Sequence, residues 1–433
     1  MHPDDPTAPR ASRRRTRTAT SLLRVVWVPG EPPLRARLEL TGPTVIGRSP
    51  GDDGIAVLDA LMSRRHATVE PQRDGTLRVI DSSSHGTWVD GARVTDGIAE
   101  DGSVIRCGDS FFVFRAEPAD VEDADVEGLM GHAPSMRELR ARIAEVAAGT
   151  QTVLVLGESG TGKELVARGV HALSGRRGPF VAVNCAAIPE QLAESTLFGH
   201  ARGAFTGAES DRPGVFVQAE GGTLFLDEIG ETSPAVQAKL LRAIETREIT
   251  PVGASRAVAC DVRLVAATLR DLRGAIERGA FRGDLYARIA GVTVQTPALA
   301  ERREDILPIL GVALGPRPPR LDPELVDALL HHAWPYNVRE LLSLGAEMRA
   351  RAAKHDTIEL AMFEERLRGS VTPAQVEMRV DAQAAERRGE PTRDELAALY
   401  EAHSGNISQL ARVLGYSRRH VRRFLEDAGL LSK

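Results

Sequence analysis

The rhythm of apolar positions changes twice along the chain. From residue 22 to 116 they come in short runs, at 22–28, 34–40, 44–46, 67–70, 77–80, 87–89, 103–106 and 111–114, separated by clusters of Gly, Pro, Asp and Ser. Short strands at that spacing predict an all-β sandwich. A helical pattern follows at 136–148, and then apolar runs at 152–156, 180–184 and 222–227 alternate with helical stretches. That alternation predicts a parallel, doubly wound α/β sheet, whose ligands lie at the carboxyl ends of its strands. Near the end the pattern becomes purely helical. Residues 392–402 read as a capped helix, and Leu410, Leu414, Val421 and Phe424 fall at helical spacing around Gly415, the geometry of an all-α helix-turn-helix.

The run at 152–156 ends in Gly157-Glu158-Ser159-Gly160-Thr161-Gly162-Lys163-Glu164, and a helical pattern starts at once. Such glycines let backbone N–H groups point inward at phosphate oxygens, and the following helix N-terminus adds a favourable dipole. Lys163 would supply a point charge to the outer phosphates. The general P-loop pattern asks for Ser or Thr after the lysine, so Glu164 is a departure. The run at 222–227 ends in two carboxylates. Asp227 is placed to organise Mg²⁺ and Glu228 to orient water for attack on a γ-phosphate; a helix cap is the alternative use of paired acids.

Composition sharpens this picture at one point. Only four of the 55 Lys and Arg residues are lysine, so a lysine kept at position 163 is less readily accidental. Net charge is −5, but residues 1–24 and 404–433 each carry +4, while 117–127 hold six acids and no base. Basic ends allow nucleic-acid contact without requiring it. Residues 1–21 read as a disordered basic tail without the apolar stretch of a secretory signal, 117–128 as an acidic linker, and 369–391 as a second linker. Cys107, Cys185 and Cys260 are odd in number and set in apolar surroundings, which predicts buried free thiols in a reducing cytoplasm. No apolar run approaches the roughly 18 residues needed to span a membrane.

The predicted sandwich carries Gly47-Arg48, Ser63-Arg64-Arg65-His66 and Ser84-His85-Gly86-Thr87 in its loops. This set resembles the forkhead-associated (FHA) domain, a β-sandwich that binds phosphothreonine peptides. The resemblance implies that Arg48 and Ser63 hold the phosphate, that Arg64 lies close to the ligand, and that His66 braces the loop. A guanidinium fork with a hydroxyl suits a dianionic phosphate. His85 stands where the family has Asn, at the position that fixes the peptide backbone. The alternative is a sandwich that merely docks on its neighbour, with Arg48 in an internal salt bridge.

Between the strands lies Gly203-Ala204-Phe205-Thr206-Gly207-Ala208, whose small residues suit a hairpin tip presenting one aromatic ring and one hydroxyl. With the octapeptide 157–164, this hexapeptide resembles the central AAA+ domain of bacterial enhancer-binding proteins that activate sigma-54 RNA polymerase, over about 131–367. Within that family Glu164 is normal and the hexapeptide is the sigma-54 contact. The resemblance implies an AAA+ P-loop ATPase domain over 129–368, its helical lid beginning near 302. It also implies that Asn184 restrains Glu228, that Arg282 and Arg288 reach a neighbouring subunit's nucleotide, and that Arg339 senses phosphates from the lid. A trans arginine requires a ring, a hexamer in the family. Three departures stand out: Leu269 for Asn, Tyr336 for Gly, and Ala298-Leu-Ala-Glu-Arg302 for Pro-Leu-Arg-Glu-Arg.

In the last segment Ser417 caps the second helix, and Arg418, Arg419, Arg422 and Arg423 follow on it. It resembles the Fis-type DNA-binding domain. Together these readings predict a cytoplasmic, multidomain activator of the sigma-54 RNA polymerase holoenzyme that uses ATP and Mg²⁺ and binds enhancer DNA. It would self-associate from dimer to hexamer and receive a phosphothreonine protein from a Ser/Thr kinase pathway. Two alternatives stay open: a DNA-binding regulator that binds ATP but hydrolyses it weakly, and a phosphopeptide adaptor.

Overall fold

The computed structural model describes residues 19–31, 36–52, 54–118 and 124–367, with single positions 393, 396, 397, 400, 425, 428 and 430. The Fis-type reading at Ser417, Arg418, Arg419, Arg422 and Arg423 lies outside the described residues, as do most of the basic tail and the second linker.

The N-terminal sandwich has two sheets. One runs β2 (Arg37–Leu40), β1 (Ala19–Trp27), β11 (Ser110–Pro118), β10 (Val104–Cys107), β7 (Thr87–Val89), β8 (Ala92–Val94). The other runs β4 (Ile55–Ala56), β3 (Thr44–Gly47), β5 (Ala67–Pro71), β6 (Leu77–Asp81), β9 (Asp96–Ala99). Their inner faces share a core of Leu23, Val25, Ile46, Val69, Val79, Ile105, Phe112 and Phe114. Two expected boundaries move. The first strand begins at Ala19, inside the predicted tail, and β11 runs through Glu117, the first residue of the predicted linker. Glu117 is buried because Arg24 (2.6 Å) and Arg137 both pair with it.

The central domain starts with α1 (Pro134–Ala147). Its parallel sheet has the order β13 (Phe180–Asn184), β16 (Thr223–Asp227), β19 (Arg263–Thr268), β12 (Val153–Leu156), β20 (Val292–Gln295). The inner strands β16, β19 and β12 are buried on both sides, which explains their continuous apolar runs, while the edge strands β13 and β20 are partly exposed. Helix α2 (Lys163–Leu173) leaves the end of β12, with α5 (Pro234–Thr246) and α7 (Gly283–Ile289) further along. A two-stranded ribbon, β14 (Gly199–His200) with β15 (Arg212–Pro213), lifts a loop off this body. The lid is α8 (Ile306–Leu314), α9 (Pro323–His331) and α10 (Asn337–Ala352).

The outer face of the first sandwich sheet is also apolar. Val26, Trp27, Val104, Phe111 and Val113 join one buried cluster with the lid residues Leu325, Leu329, Trp334 and Leu344. Ion pairs flank it: Arg115 holds Glu304 through two hydrogen bonds (2.6 and 2.8 Å), Arg106 meets Asp327 at 3.5 Å, and Arg303 meets Asp90 at 2.7 Å. The sandwich therefore packs on the lid. Among the described residues no helix is long and apolar enough to cross a membrane. All three cysteines are buried and free.

Candidate functional site

The P-loop takes its shape from three left-handed glycines, Gly157, Gly160 and Gly162. At Gly160 (φ +77°) a Cβ would stand 2.1 Å from Tyr336 O, so the loop tip lies directly against the lid backbone. Thr161 Oγ1 bonds Thr296 Oγ1 at 2.7 Å and fixes the loop to the residue that follows β20. Lys163 opens α2, with its Nζ donating to Gly157 O (3.0 Å) and Glu158 O (3.2 Å) and standing 3.7 Å from Glu228 Oε1. Glu164 turns sideways to Arg168 at 2.7 Å, an exposed pair one helical turn away.

Strand β16 brings Asp227 and Glu228 to the same cleft. Burial, then the neighbouring Glu228 charge, hold the Asp227 carboxyl above its ordinary range. Glu228 sits in the left-handed region (φ +51°), which tips its carboxylate toward β19. There its Oε2 accepts from Leu269 N (3.2 Å) and approaches Thr268 Oγ1 (3.5 Å). Asn184, at the end of the adjacent strand, lines the cleft, and its Oδ1 accepts from Ala186 N (2.9 Å). The hydrogen bonds to the Glu228 carboxylate therefore come from the last residue of β19 and the residue after it.

The lid roofs the cleft. Arg339 Nη1 donates to Ser159 Oγ (3.0 Å). The buried Asn337 donates to Glu158 Oε2 (2.9 Å) and Ser159 O (3.1 Å) and accepts from Leu299 N (2.7 Å). Tyr336, at the Gly position of the family, has an ordinary φ of −115° and an exposed ring; the left-handed turns fall on Trp334 and Asn337 instead. The cleft has a volume of about 430 Å³. Its apolar end is made by Leu129, Met130, Ile309, Val338 and Leu342, with buried Arg302 beside them, donating to Met130 O (3.3 Å). The sequence does not mark these wall residues: Leu129 and Met130 follow directly on the acidic stretch, and lid apolar residues carry no signal beyond their helical spacing.

Residues 129–295 match the model of the sigma-54 interaction domain, and residues 44–108 that of the FHA domain. The transcriptional regulatory protein ZraR of Klebsiella oxytoca is 44% identical over 307 residues, which cover 67% of this chain and 67% of ZraR. The chain belongs to the sigma-54-dependent transcriptional regulators. The Nif-specific regulatory protein of Azotobacter vinelandii is 51% identical over 220 residues, 49% of this chain and 42% of the relative. Among solved structures, that of NtrX from Brucella abortus in complex with ATP is similar, with 33% identity and a TM-score of 0.50, covering 70% of this chain and 69% of that one. The ADP complex gives 31% and 0.51, with 70% of each covered.

In this regulator the ribbon β14–β15 carries Gly203-Ala204-Phe205-Thr206-Gly207-Ala208 at its tip. Gly203 N donates to Ala208 O (2.8 Å) and closes the loop. Ala208 is buried, Thr206 is exposed, and Phe205 is 40% exposed with its ring edge-on to His200 (4.9 Å). The expected aromatic and hydroxyl are both at the surface. Arg282 and Arg288 stand in exposed ion pairs with Asp284 (2.7 Å) and Glu245 (3.0 Å).

In the FHA domain the candidate phosphopeptide loops converge. Arg48 N donates to Ser63 O (2.9 Å), and Ser84 N donates to Ser63 Oγ (3.2 Å). Ser84 Oγ meets His85 Nδ1 at 3.2 Å. Arg48, Arg64 and His85 are exposed on this rim. His66 braces it from below: its Nδ1 accepts from Ser63 N (3.1 Å), so its Nε2 donates to Gly86 O (2.9 Å). The sandwich docks on the lid through the outer face of one sheet, and that docking leaves Arg48, Arg64 and His85 exposed.

Proposed function

We propose that the chain hydrolyses ATP in the cleft between P-loop and lid and spends that cycle on sigma-54 polymerase through Phe205 and Thr206, under control of a phosphothreonine ligand at the FHA rim. The observation that carries this reading is Lys163 Nζ lying 3.7 Å from Glu228 Oε1 in a cleft that Arg339 also lines, one cation and one carboxylate facing the same space.

Three parts of the cleft suit triphosphate chemistry. The P-loop N–H groups, Lys163 and Arg339 offer donors and positive charge to phosphates, while Leu129, Met130 and Leu342 offer an apolar wall to a base. Glu228, aimed by Leu269 N and Thr268, accepts the proton of an attacking water. Asp227 offers a carboxylate oxygen of the kind Mg²⁺ takes, and a cation there would offset the burial and the Glu228 charge that hold its carboxyl high. Bound Mg²⁺ would neutralise charge on the outer phosphates. Arg282 and Arg288, held at the surface, remain available to a neighbouring subunit's nucleotide in a hexameric ring. Binding of nucleotide by NtrX supports the ATP reading. Enhancer DNA is proposed as the ligand of the C-terminal segment on its arginine pattern alone.

The weakly hydrolysing alternative drew on Leu269 and Tyr336. Leu269 still gives its peptide N–H to Glu228, and Tyr336 takes an unstrained backbone, so neither departure distorts the cleft. Steady-state ATP turnover across a range of protein concentrations tests it. Turnover should rise with concentration and vanish in Lys163→Ala; no turnover at any concentration, with or without DNA, would sink it.

A further inference from the structure

We infer that the FHA sandwich is a handle on the lid, so that occupancy of the phosphothreonine rim and occupancy of the nucleotide cleft are coupled through the buried pairs Arg106–Asp327 and Arg115–Glu304. This rests on the proposed reading of both sites and names how one regulates the other.

The contact has the character of a core. Val26, Trp27, Val104, Phe111 and Val113 are each 6% exposed or less and lie in one cluster with the lid residues. Inter-domain surfaces move freely by default unless they are large and apolar. The charges sharpen the register. Arg115 and Glu304 have side-chain exposures of 7% and 3%, Arg106 and Asp327 of 3% and 2%. Losing one member of such a pair strands a buried charge, so the sandwich and lid prefer to move together.

From that seam, hydrogen bonds lead to the rim on one side, and the lid helices lead to the P-loop on the other. On the sandwich side Arg106 donates to Gly108 O (2.9 Å) and Asp109 Oδ1 (3.1 Å). Asp59 then accepts from Asp109 N (2.8 Å), Ser110 Oγ (2.9 Å) and Leu61 N (2.8 Å). Leu61 is two residues from Ser63 on the rim. On the lid side Asp327 sits on α9, which leads through the Trp334 turn into α10, and α10 opens with Asn337 and Arg339 on Glu158 and Ser159. A shift of the 59–63 loop is therefore passed to the turn at 108–110, to Arg106, and to the body that grips the P-loop. Such coupling is reciprocal: whatever the peptide does to nucleotide affinity, nucleotide does to peptide affinity.

The test uses the full chain, a slowly hydrolysed ATP analogue, and a pool of short phosphothreonine peptides with degenerate flanks. In the wild type, saturating peptide should change the Kd of the analogue by roughly fivefold or more. The analogue should also alter hydrogen exchange at residues 59–66 and 107–110. In Asp327→Asn with Glu304→Gln each ligand still binds, but the fold-change falls toward one. Asp327→Asn alone, which removes one of the two buried pairs, is the second variant should the double substitution unfold the chain; it lowers the coupling while leaving both isotherms. Independent binding of the two ligands to the wild type overturns the inference, as does coupling that survives in both variants. Absence of peptide or nucleotide binding in the wild type also overturns it, and is visible separately as a missing isotherm.

Discussion

The peptide N–H of Leu269 donates to Glu228 Oε2 at 3.2 Å, so the candidate catalytic carboxylate is aimed by backbone at a position where its family carries a polar side chain. The Leu269 side chain itself is 56% exposed. Leu269→Asn is expected to leave ATP turnover within about threefold of wild type, under about 1 kcal/mol in barrier. Glu228→Gln should lose on the order of 10²–10⁴. Steady-state phosphate release measures both, and a large gain in Leu269→Asn would show that the side chain matters after all.

Asn337 is fully buried and joins three segments: the P-loop, Leu299 and the start of α10. Asn337→Ala leaves Leu299 N and Glu158 Oε2 without that partner, at a cost of about 1–3 kcal/mol for an unsatisfied buried group. Urea unfolding should show the loss, and nucleotide affinity should fall with it as the lid loosens. Unchanged affinity would remove Asn337 from the lid contact.

Gly160 and Gly175 have similar left-handed φ values, +77° and +70°, but only Gly160 is crowded, by Tyr336 O. Gly175→Ala should cost about 1–2 kcal/mol from backbone strain alone. Gly160→Ala should add about 1–3 kcal/mol from overpacking against the lid. The two melting curves compare them, and equal losses would mean the lid gives way without cost.

His66 predicts a pH dependence confined to the sandwich. Burial lowers its pKa below the ordinary 6.5, and its Nδ1 must stay unprotonated to accept from Ser63 N. The unfolded chain takes up the proton first as pH falls. The stabilisation is complete above about 6.5 and drains away as pH falls from there toward the folded pKa. His66→Gln should flatten this slope in denaturation curves between pH 7.5 and 5.5. An unaltered slope would place the titrating group elsewhere.

The P-loop, the paired acids at 227–228 and the sandwich were legible because each is local: a few residues in sequence form the feature. Three short strands, β4, β8 and β9, carry no apolar run: each has a single large apolar residue, Ile55, Val94 or Ile98, among Ala, Gly, Asp and Arg. The docking seam was present but unread. The runs at 22–28 and 111–114 do not alternate, and a strand apolar on both faces needs a second partner beyond its own sandwich. Its charges could not be paired from sequence, since Arg115 and Glu304 are distant in the chain and ordinary in an arginine-rich composition. Tyr336 misled for a related reason: the residue in the Gly position need not be the one that takes the left-handed φ, and here Trp334 and Asn337 take it.

Whether ATP turnover in the cleft is delivered to sigma-54 polymerase through the tip of the β14–β15 ribbon is decided by open-complex formation in vitro, run alongside phosphate release on the same samples. Wild type should give ATP-dependent open complexes. Glu228→Gln should give neither open complexes nor turnover. Thr206→Ala should hydrolyse ATP at close to the wild-type rate yet form no open complexes. Open complexes at the wild-type level from Thr206→Ala would contradict the assignment of the loop.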